Sequence, residues 1–205
     1  MPLSISPPTT DIEIISQACT LCGRGSFNTI DAGGAFAQDA ARLYATLVSA
    51  ELASNRWRFA QDYQQMGTLS TLTPNFEGWQ FYWDFPADLI MLHRIYPLLP
   101  YIVFGTRILT TTNQNLTAIF SKNVPVSKWP PTFSMYIIFH LASMLALSVA
   151  QNDGLMARID AGKAYWNSRA DFADSQNSPS RQMKSIPWIQ ARYNYRTRND
   201  QWGPQ

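Results

Sequence analysis

The spacing of hydrophobic residues changes twice along this chain, and that change constrains the fold more than any other feature. Between residues 36 and 52, apolar side chains recur every three or four positions, which predicts an amphipathic helix ending near Ser54. From residue 57 to about 122, short aromatic and β-branched runs alternate with turn residues, which is typical of antiparallel strands. Helical spacing returns after Pro131. The strands are therefore expected as one insertion between a second and a third helix.

The outer segments carry helix start and stop signals. Thr10 and Glu13 match a capping box, so a first helix is expected to begin there. Pro131 can occupy the first turn of the third helix without losing a hydrogen bond. Residues 133–150 are apolar nearly all round, which predicts a helix buried on several sides. A last amphipathic helix follows and fades near Asp174.

Within the insertion, the pattern predicts about four to six short strands. The candidate strands are 57–62, 66–72, 80–85, 90–95, 101–109 and 116–121. The predicted fold class is α+β: a four-helix bundle with an inserted antiparallel β-rich lobe and an extended C-terminal arm. The predicted boundaries are 1–56 and 125–176 for the helical bundle, 57–124 for the lobe and 177–205 for the arm.

Charge is scarce and unevenly distributed. Charged residues make up 15% of the chain, against roughly 25% in typical soluble proteins. Residues 177–205 hold five basic residues and one acidic residue, a net charge of +4, which leaves −2 on residues 1–176 out of the total of +2. The low charge of the body favours a protein that buries surface against other subunits, because unpaired charges are costly to bury.

Few residues point to chemistry. Cys19 and Cys22 form a single C-x-x-C, which could be a redox pair or half a zinc site, but no second pair exists, so two structural thiols are favoured. His93 in a strand and His140 in the apolar helix have no nucleophile or carboxylate at a convincing spacing, and structural roles are favoured.

Asp84 and Asp88 flank a Phe-Pro-Ala segment. They could form a paired-carboxylate site, but turn chemistry is the favoured interpretation, because proline fixes φ and aspartates bond nearby backbone amides. We therefore expect no catalytic residue, no metal and no cofactor. The apolar stretch 135–149 is shorter than the roughly 20 residues of a membrane span, so none is expected.

Three features in this order resemble the tail tubular protein A family of phage head-to-tail adaptors. The first is a long helix ending in the sequence NRWRFA at 55–60. The second is FYWDFPADL at 81–89, similar to the Y-D-L-P-A-D-F-L segment of that family, with Phe85 in place of the usual leucine. The third is a proline-led apolar helix, 129–150, followed by an amphipathic helix and an arginine-containing tail. The residues that carry this signature are Trp57, Phe59, Trp83, Asp84, Pro86, Asp88 and Leu89.

The resemblance spans roughly residues 10–198 and implies a structural virion protein of short-tailed bacteriophages, not an enzyme. Such adaptors are made in the bacterial cytoplasm and form a ring of twelve copies at the head–tail junction, below the portal protein. Double-stranded DNA passes through the ring during genome ejection, without sequence-specific binding. In that family the lobe lies nearer the tail nozzle, a tail tubular protein B-like partner. The lobe loops expected to contact nozzle proteins or tail fibres are 74–79, 97–100 and 111–115.

The resemblance implies that the C-terminal arm binds the portal. Its composition fits, because arginine, tryptophan and tyrosine dominate the strongest contacts of protein interfaces. The candidate portal-binding residues are Arg181, Lys184, Trp188, Arg192, Tyr193, Tyr195, Arg196, Arg198 and Trp202. A nucleic-acid-binding module remains the alternative function, since basic and aromatic side chains also suit single-stranded nucleic acid. A small redox or metal-dependent enzyme using the C-x-x-C is a third hypothesis.

Overall fold

The computed structural model describes residues 7–67, 69–149 and 153–177. Backbone contacts divide the chain into two units, residues 1–174 and 175–205. The first unit contains every described strand and nearly all of the described helical residues. The described part is a mixed α+β fold with four α-helices and two antiparallel sheets. The candidate arm residues from Arg181 to Trp202 lie outside the described residues.

The helices begin and end close to the predicted positions. They are α1 (Asp11–Leu21), α2 (Gly34–Ser54), α3 (Pro131–Val149) and α4 (Asp153–Gln176). At the start of α1, the Glu13 amide donates to Thr10 Oγ1 at 3.3 Å, and the Thr10 amide donates to Glu13 Oε2 at 3.3 Å. This reciprocal pair satisfies two amide groups that the helix leaves without an internal partner. The predicted capping box is therefore confirmed.

The insertion contains seven strands among the described residues, more than predicted. They are β1 (Gln61–Gln65), β2 (Leu69–Phe76), β3 (Trp79–Asp84), β4 (Leu89–Tyr96), β5 (Tyr101–Phe104), β6 (Arg107–Thr110) and β7 (Thr117–Lys122). The region 61–122 is called the lobe below, and α1–α4 are called the helical body.

Two strand predictions are wrong in detail. The predicted strand 101–109 is two strands, because Gly105 adopts a φ of 61° and turns the chain back on itself. The predicted strand 57–62 begins later, at Gln61, because Arg58–Ala60 form a short 3₁₀-helix. In both places the aromatic and apolar side chains favoured one longer strand over a change of backbone direction.

The two sheets are antiparallel throughout. Sheet A has the strand order β1-β7-β4, and sheet B has the order β2-β3-β6-β5. The β2–β3 hairpin turns at Glu77 and Gly78, whose φ values of 46° and 87° are those of a type I′ turn. Buried side chains from both sheets meet in one cluster, the second core. Its members are Met66, Trp83, Ile95, Ile108, Leu116, Ala118 and Phe120.

The first core lies in the helical body and is built around α3. Nine of the described side chains of this helix are buried, which confirms the prediction of a helix enclosed on several sides. The helix packs against α1 and α2. These nine residues are Phe133, Ser134, Tyr136, Ile137, Ile138, Leu141, Ala142, Leu145 and Ala146.

Helix α4 joins this core differently. Of its described side chains only Ile159 and Ala170 are buried. It comes close to α3 at Gly162, where an added Cβ would lie 2.3 Å from the Phe139 ring. Nearby, the Ser143 hydroxyl donates to Asp160 Oδ1 at 2.6 Å. Glycine therefore allows α4 to approach α3 through a narrow contact, while most of its surface stays in water.

Across the described ranges, the helices lack an uninterrupted apolar length sufficient to cross a membrane.

Candidate assembly surface

The signature residues Trp57 and Phe59 lie in an aromatic cluster of the first core. The Trp57 ring contacts Phe133 edge-on, with ring centroids 4.9 Å apart, and its Nε1 donates to the Glu51 carbonyl at 3.1 Å. The Phe59 ring lies 4.8 Å from Phe133. Trp129 contacts Phe133 from another direction, also at 4.9 Å. This part of the signature fixes the junction between α2, α3 and the lobe.

Trp83 and Leu89 belong to the second core. The Trp83 side chain is buried, and its indole nitrogen has no hydrogen-bond partner among the described residues. Leu89 begins β4 and packs against the same core while remaining half-buried. Both residues therefore contribute apolar contacts that hold the two sheets together.

The polar members of the signature form a turn. Asp84 Oδ1 accepts a hydrogen bond from Arg107 Nε at 3.0 Å, and the Arg107 guanidinium lies 4.3 Å from the centre of the Tyr82 ring. The Pro86 carbonyl accepts the Leu89 amide at 3.2 Å. Asp88 is exposed in the turn between them. Asp84 is thus engaged by a cation and Asp88 lies in a turn, an arrangement that favours the turn interpretation over a paired-carboxylate site.

Both cysteines are free thiols, and both are buried. Burial raises the pKa of the Cys19 thiol to about 11, and burial also raises the pKa of Cys22. The Cys22 Sγ lies 3.4 Å from the Ala142 carbonyl oxygen, to which it donates. Because the thiolate is the nucleophile and the metal ligand, such thiols are poorly suited to either chemistry.

The two histidines lie in separate polar contacts. His93 Nε2 lies 2.7 Å from the buried Ser121 hydroxyl, and burial lowers the pKa of His93, aided by the positive charge of Arg56. His140 Nδ1 lies 3.0 Å from Glu51 Oε1, within ion-pair distance but without the alignment of a hydrogen bond.

A polar cluster around His140 was not predicted from the sequence. It brings together Glu51 of α2, Tyr136 and His140 of α3, and Asp171 of α4. Burial raises the pKa of Tyr136, with the Glu51 charge adding to it. Burial also raises the pKa of Asp171, followed by the charges of Asp174 and Glu51. Glu51 is 85 or more positions away in sequence from the other three residues, so no local spacing could reveal the cluster.

This cluster ties α4 to the lobe junction. The Arg58 amide donates to Asp174 Oδ1 at 2.8 Å, which fixes the end of α4 beside the start of β1. Within residues 7–67, 69–149 and 153–177, no group of three His, Cys, Asp or Glu side chains is arranged to hold a metal ion. The contacts among these residues are those of a structural network.

An open cleft of about 420 Å³ lies between α1, α2 and the segment 123–129. Its polar wall is the pair formed by Tyr44 and Asp11, whose hydroxyl and carboxylate oxygens are 2.7 Å apart. Burial raises the pKa of Tyr44, and the hydrogen bond to Asp11 raises it further. The tyrosine therefore stays protonated and acts as a donor.

Exposed apolar side chains are concentrated on the lobe. Of the ten large exposed hydrophobic residues among those described, eight lie between residues 63 and 104, and only Tyr165 and Phe172 lie in the helical body. Six of the eight fall in the segment 96–104. The eight residues are named the lobe surface: Tyr63, Met91, Tyr96, Leu98, Tyr101, Ile102, Val103 and Phe104.

The sheet register shows how this surface is built. Tyr63 pairs with Ile119 and Tyr96 pairs with Thr117, so both tyrosines lie on the face of sheet A opposite Ala118 and Phe120 of the second core. Val103 pairs with Ile108 and shares its face, yet Ile108 is buried and Val103 is 45% exposed. The second core therefore ends at β6, and β5 extends beyond it.

The sequence contains a pattern that indicates this exposed surface, although the predicted strands do not reflect it. Residues 101–104 are four consecutive apolar residues followed by glycine, and Leu98 and Leu99 lie between two prolines. An alternating strand with one face in water would show polar residues in this run. The absence of polar residues from 101–104 indicates a strand with apolar side chains on both faces.

Neither a scan against protein-family models nor a search of curated proteins finds a match for this chain.

Proposed function

We propose that this chain is a structural adaptor that joins a phage portal to the tail nozzle, as the resemblance to the tail tubular protein A family implies. In this proposal about twelve copies form a ring around the DNA channel, and the four helices of each copy form the bundle that packs in the ring. The chain acts through its surfaces and not through catalysis.

The observation that carries the proposal is the concentration of exposed apolar side chains on the lobe. Monomeric proteins rarely leave large contiguous apolar patches in water, and such patches commonly mark protein interfaces. Tyr96 and Leu98 are 66% and 75% exposed, and Leu98 lies in the loop 97–100, one of the loops expected to contact the nozzle or the tail fibres. The lobe surface suits a partner protein far better than a small substrate.

The buried chemistry of the described part is consistent with this role. The C-x-x-C thiols are enclosed in the first core, and the signature residues Trp57, Phe59 and Trp83 are packing residues. These features supply a rigid scaffold, which a ring subunit under the pressure of DNA passage requires. The arm, 177–205, supplies the portal contact in this proposal through its arginine and aromatic side chains.

The first test is co-sedimentation of the purified chain with portal rings from the same source, with and without nuclease. The expected result is saturable, nuclease-resistant binding near one copy per portal subunit. Binding that fails with portal but occurs with nucleic acid, and weakens steeply with salt, would overturn the adaptor proposal in favour of the nucleic-acid module.

A truncation ending at Gln176 separates the two parts of the proposal. It removes the arm and leaves the whole first unit. The circular dichroism spectrum of the truncated chain should therefore show that the helices and strands of this unit are still folded. Loss of portal binding with a folded body is the expected result. Normal portal binding by the truncated chain would show that the arm is not the portal contact.

A further inference from the structure

The two sheets have four edge strands, and three of them carry a device that discourages pairing with another strand. In β1, Asp62 places a charge on the edge. In β2, Pro74 lacks an amide donor, and the pairing with β3 is irregular between Thr71 and Phe76. In β4 the pairing with β7 shifts register twice. Charges, prolines and bulges on edge strands are the usual protection against edge-to-edge association.

The fourth edge strand of the described residues, β5, is short but carries no charge, proline or bulge within Tyr101–Phe104. It is the last strand of sheet B, its four residues are Tyr, Ile, Val and Phe, and its pairing with β6 is regular over all four positions. All four side chains are exposed. An apolar, regular edge is the kind of strand to which another strand can be added.

The absence of charge on β5 favours a second copy of the same strand. In two antiparallel copies related by a two-fold axis, only the residue on the axis faces its own equivalent, so with Ile102 on the axis Tyr101 faces Val103 of the second copy. A charged residue on the axis would therefore meet a like charge. Tyr, Ile, Val and Phe meet no such penalty. Apolar residues lie on both faces of the strand, so both faces of a combined sheet would gain contacts.

The exposed area is near the lower limit for a specific dimer. The segment 98–104 presents five exposed side chains, whose exposed fractions run from 36% for Ile102 to 75% for Leu98. Taking about 200 Å² for a large side chain in full exposure, they present on the order of 500 Å² per copy. Two copies would bury on the order of 1,000 Å², near the lower limit of specific protein interfaces.

We infer that two copies of this chain associate through β5, in antiparallel register about a two-fold axis, so that the two B sheets form one continuous eight-stranded sheet. This dimer does not depend on the adaptor proposal, since it involves only this chain. If both hold, the dimer keeps the lobe surface covered until another partner replaces the second copy.

The test is sedimentation equilibrium of the full chain over a range of concentrations, compared with the variant Ile102→Lys. The wild-type chain is expected to form a dimer, and the variant to dissociate at least about tenfold more readily, because the two lysines face one another across the axis. The matched control is Tyr165→Lys on α4, which has comparable exposure and should dimerise as the wild type does. Leu98→Lys gives a second disruption at a loop position that does not affect strand formation.

A mixture of the variants Ile102→Lys and Ile102→Glu tests the symmetry. Opposite charges near the axis should restore the dimer, whereas each variant alone stays monomeric. Three results would overturn the inference: a wild-type chain that stays monomeric at all concentrations, a dimer lost with Tyr165→Lys but not with Ile102→Lys, or no restoration in the mixture. The last result would mean that β5 meets a different surface or a different protein. Circular dichroism of each variant verifies that the fold is intact.

Discussion

The helical body and the lobe bury their hydrophobic residues to very different extents. The first core encloses the rings of Trp57, Trp129, Phe133 and Tyr136, and leaves two large apolar side chains exposed. The second core contains seven buried residues, while the lobe leaves eight large apolar side chains in water. Both regions are rich in such residues, so the difference arises from geometry. Helix α3 is surrounded, whereas β5 extends past the sheet that covers its neighbours, and the lobe is therefore the part that a partner can complete.

The largest expected effect is on the first core. Phe133→Ala removes the ring that Trp57, Phe59 and Trp129 contact, and should lower the free energy of unfolding by about 3–5 kcal/mol. The control is Phe172→Ala, the same substitution at a side chain that is 61% exposed, which should cost less than about 1 kcal/mol. Urea titration measures both. Equal losses would mean that the first core is not the stabilising part of the body.

A matched pair of isoleucines makes the same comparison inside the lobe. Ile108 on β6 is fully buried in the second core, and Ile102 on β5 is 36% exposed. Ile108→Ala should cost about 2–5 kcal/mol, and Ile102→Ala less than about 1 kcal/mol at concentrations where the chain is monomeric. Urea titration monitored by tryptophan fluorescence is the measurement. If Ile102→Ala costs as much as Ile108→Ala, β5 is covered within a single copy.

The contact between α3 and α4 gives an intermediate effect. Gly162→Ala places a methyl group against the Phe139 ring, and the ring or the helix must shift. Overpacking of this kind costs about 1–3 kcal/mol, despite the higher helix propensity of alanine. The double variant with Phe139→Leu should recover part of the loss, since the smaller side chain makes room. A stabilised Gly162→Ala variant in thermal unfolding would show that α4 does not approach α3 at this point.

The smallest expected effect is the pH dependence of two aspartates. The pKa of Asp171 in the body is raised by burial, then by Asp174 and Glu51. The carboxyl of Asp171 therefore holds its proton more tightly in the folded state than in the unfolded state. The contribution of Asp171 to the free energy of unfolding falls as pH rises from about 3.8 through the raised pKa. Asp171→Asn should increase stability at pH 7 by less than about 1 kcal/mol, because the side chain is exposed and solvent screens the charges. The gain should vanish below pH 3.8.

The pKa of Asp62 in the lobe is shifted in the opposite direction to that of Asp171. The hydrogen bond from Lys122 lowers the pKa of Asp62, so its contribution is present at pH 7 and is lost as pH falls through the lowered value. Asp62→Asn should therefore be slightly destabilising at pH 7 and neutral at low pH. Unfolding curves at pH 3 and pH 7 distinguish the two variants. If Asp171→Asn and Asp62→Asn changed the free energy of unfolding in the same direction at pH 7, the electrostatic effects assigned to the two aspartates would be contradicted.

The sequence predicted the helices well because their signals are local. The capping box at Thr10 and Glu13, the glycine before α2 and the proline at the start of α3 each act within one helical turn. The strands were harder to predict, because the short turn at Gly105 separates two apolar runs, 101–104 and 108–109, that are close enough to resemble a single strand. The role of Gly162 also needs the position of Phe139 in space.

The candidate surface was predictable only in part. The resemblance predicts partner contacts for the loop 97–100, but the sequence predicts β5 as part of a longer strand, 101–109, and not as an exposed edge. Exposure depends on where sheet A ends over sheet B, which no window of sequence contains. The polar cluster of Glu51, Tyr136, His140 and Asp171 was missed for the same reason, since its members come from three different helices.

The most direct measurement compares binding to the tail nozzle protein by two double variants. Tyr96→Ser with Leu98→Ser alters the lobe surface, and Tyr165→Ser with Phe172→Ser alters the only two large exposed apolar residues described in the helical body. Both variants should keep the wild-type unfolding free energy within about 1 kcal/mol. We expect the lobe variant to lose nozzle binding at least about tenfold in co-sedimentation, while the body variant binds as the wild type does. Retained binding by the lobe variant, or loss by the body variant alone, would contradict the account.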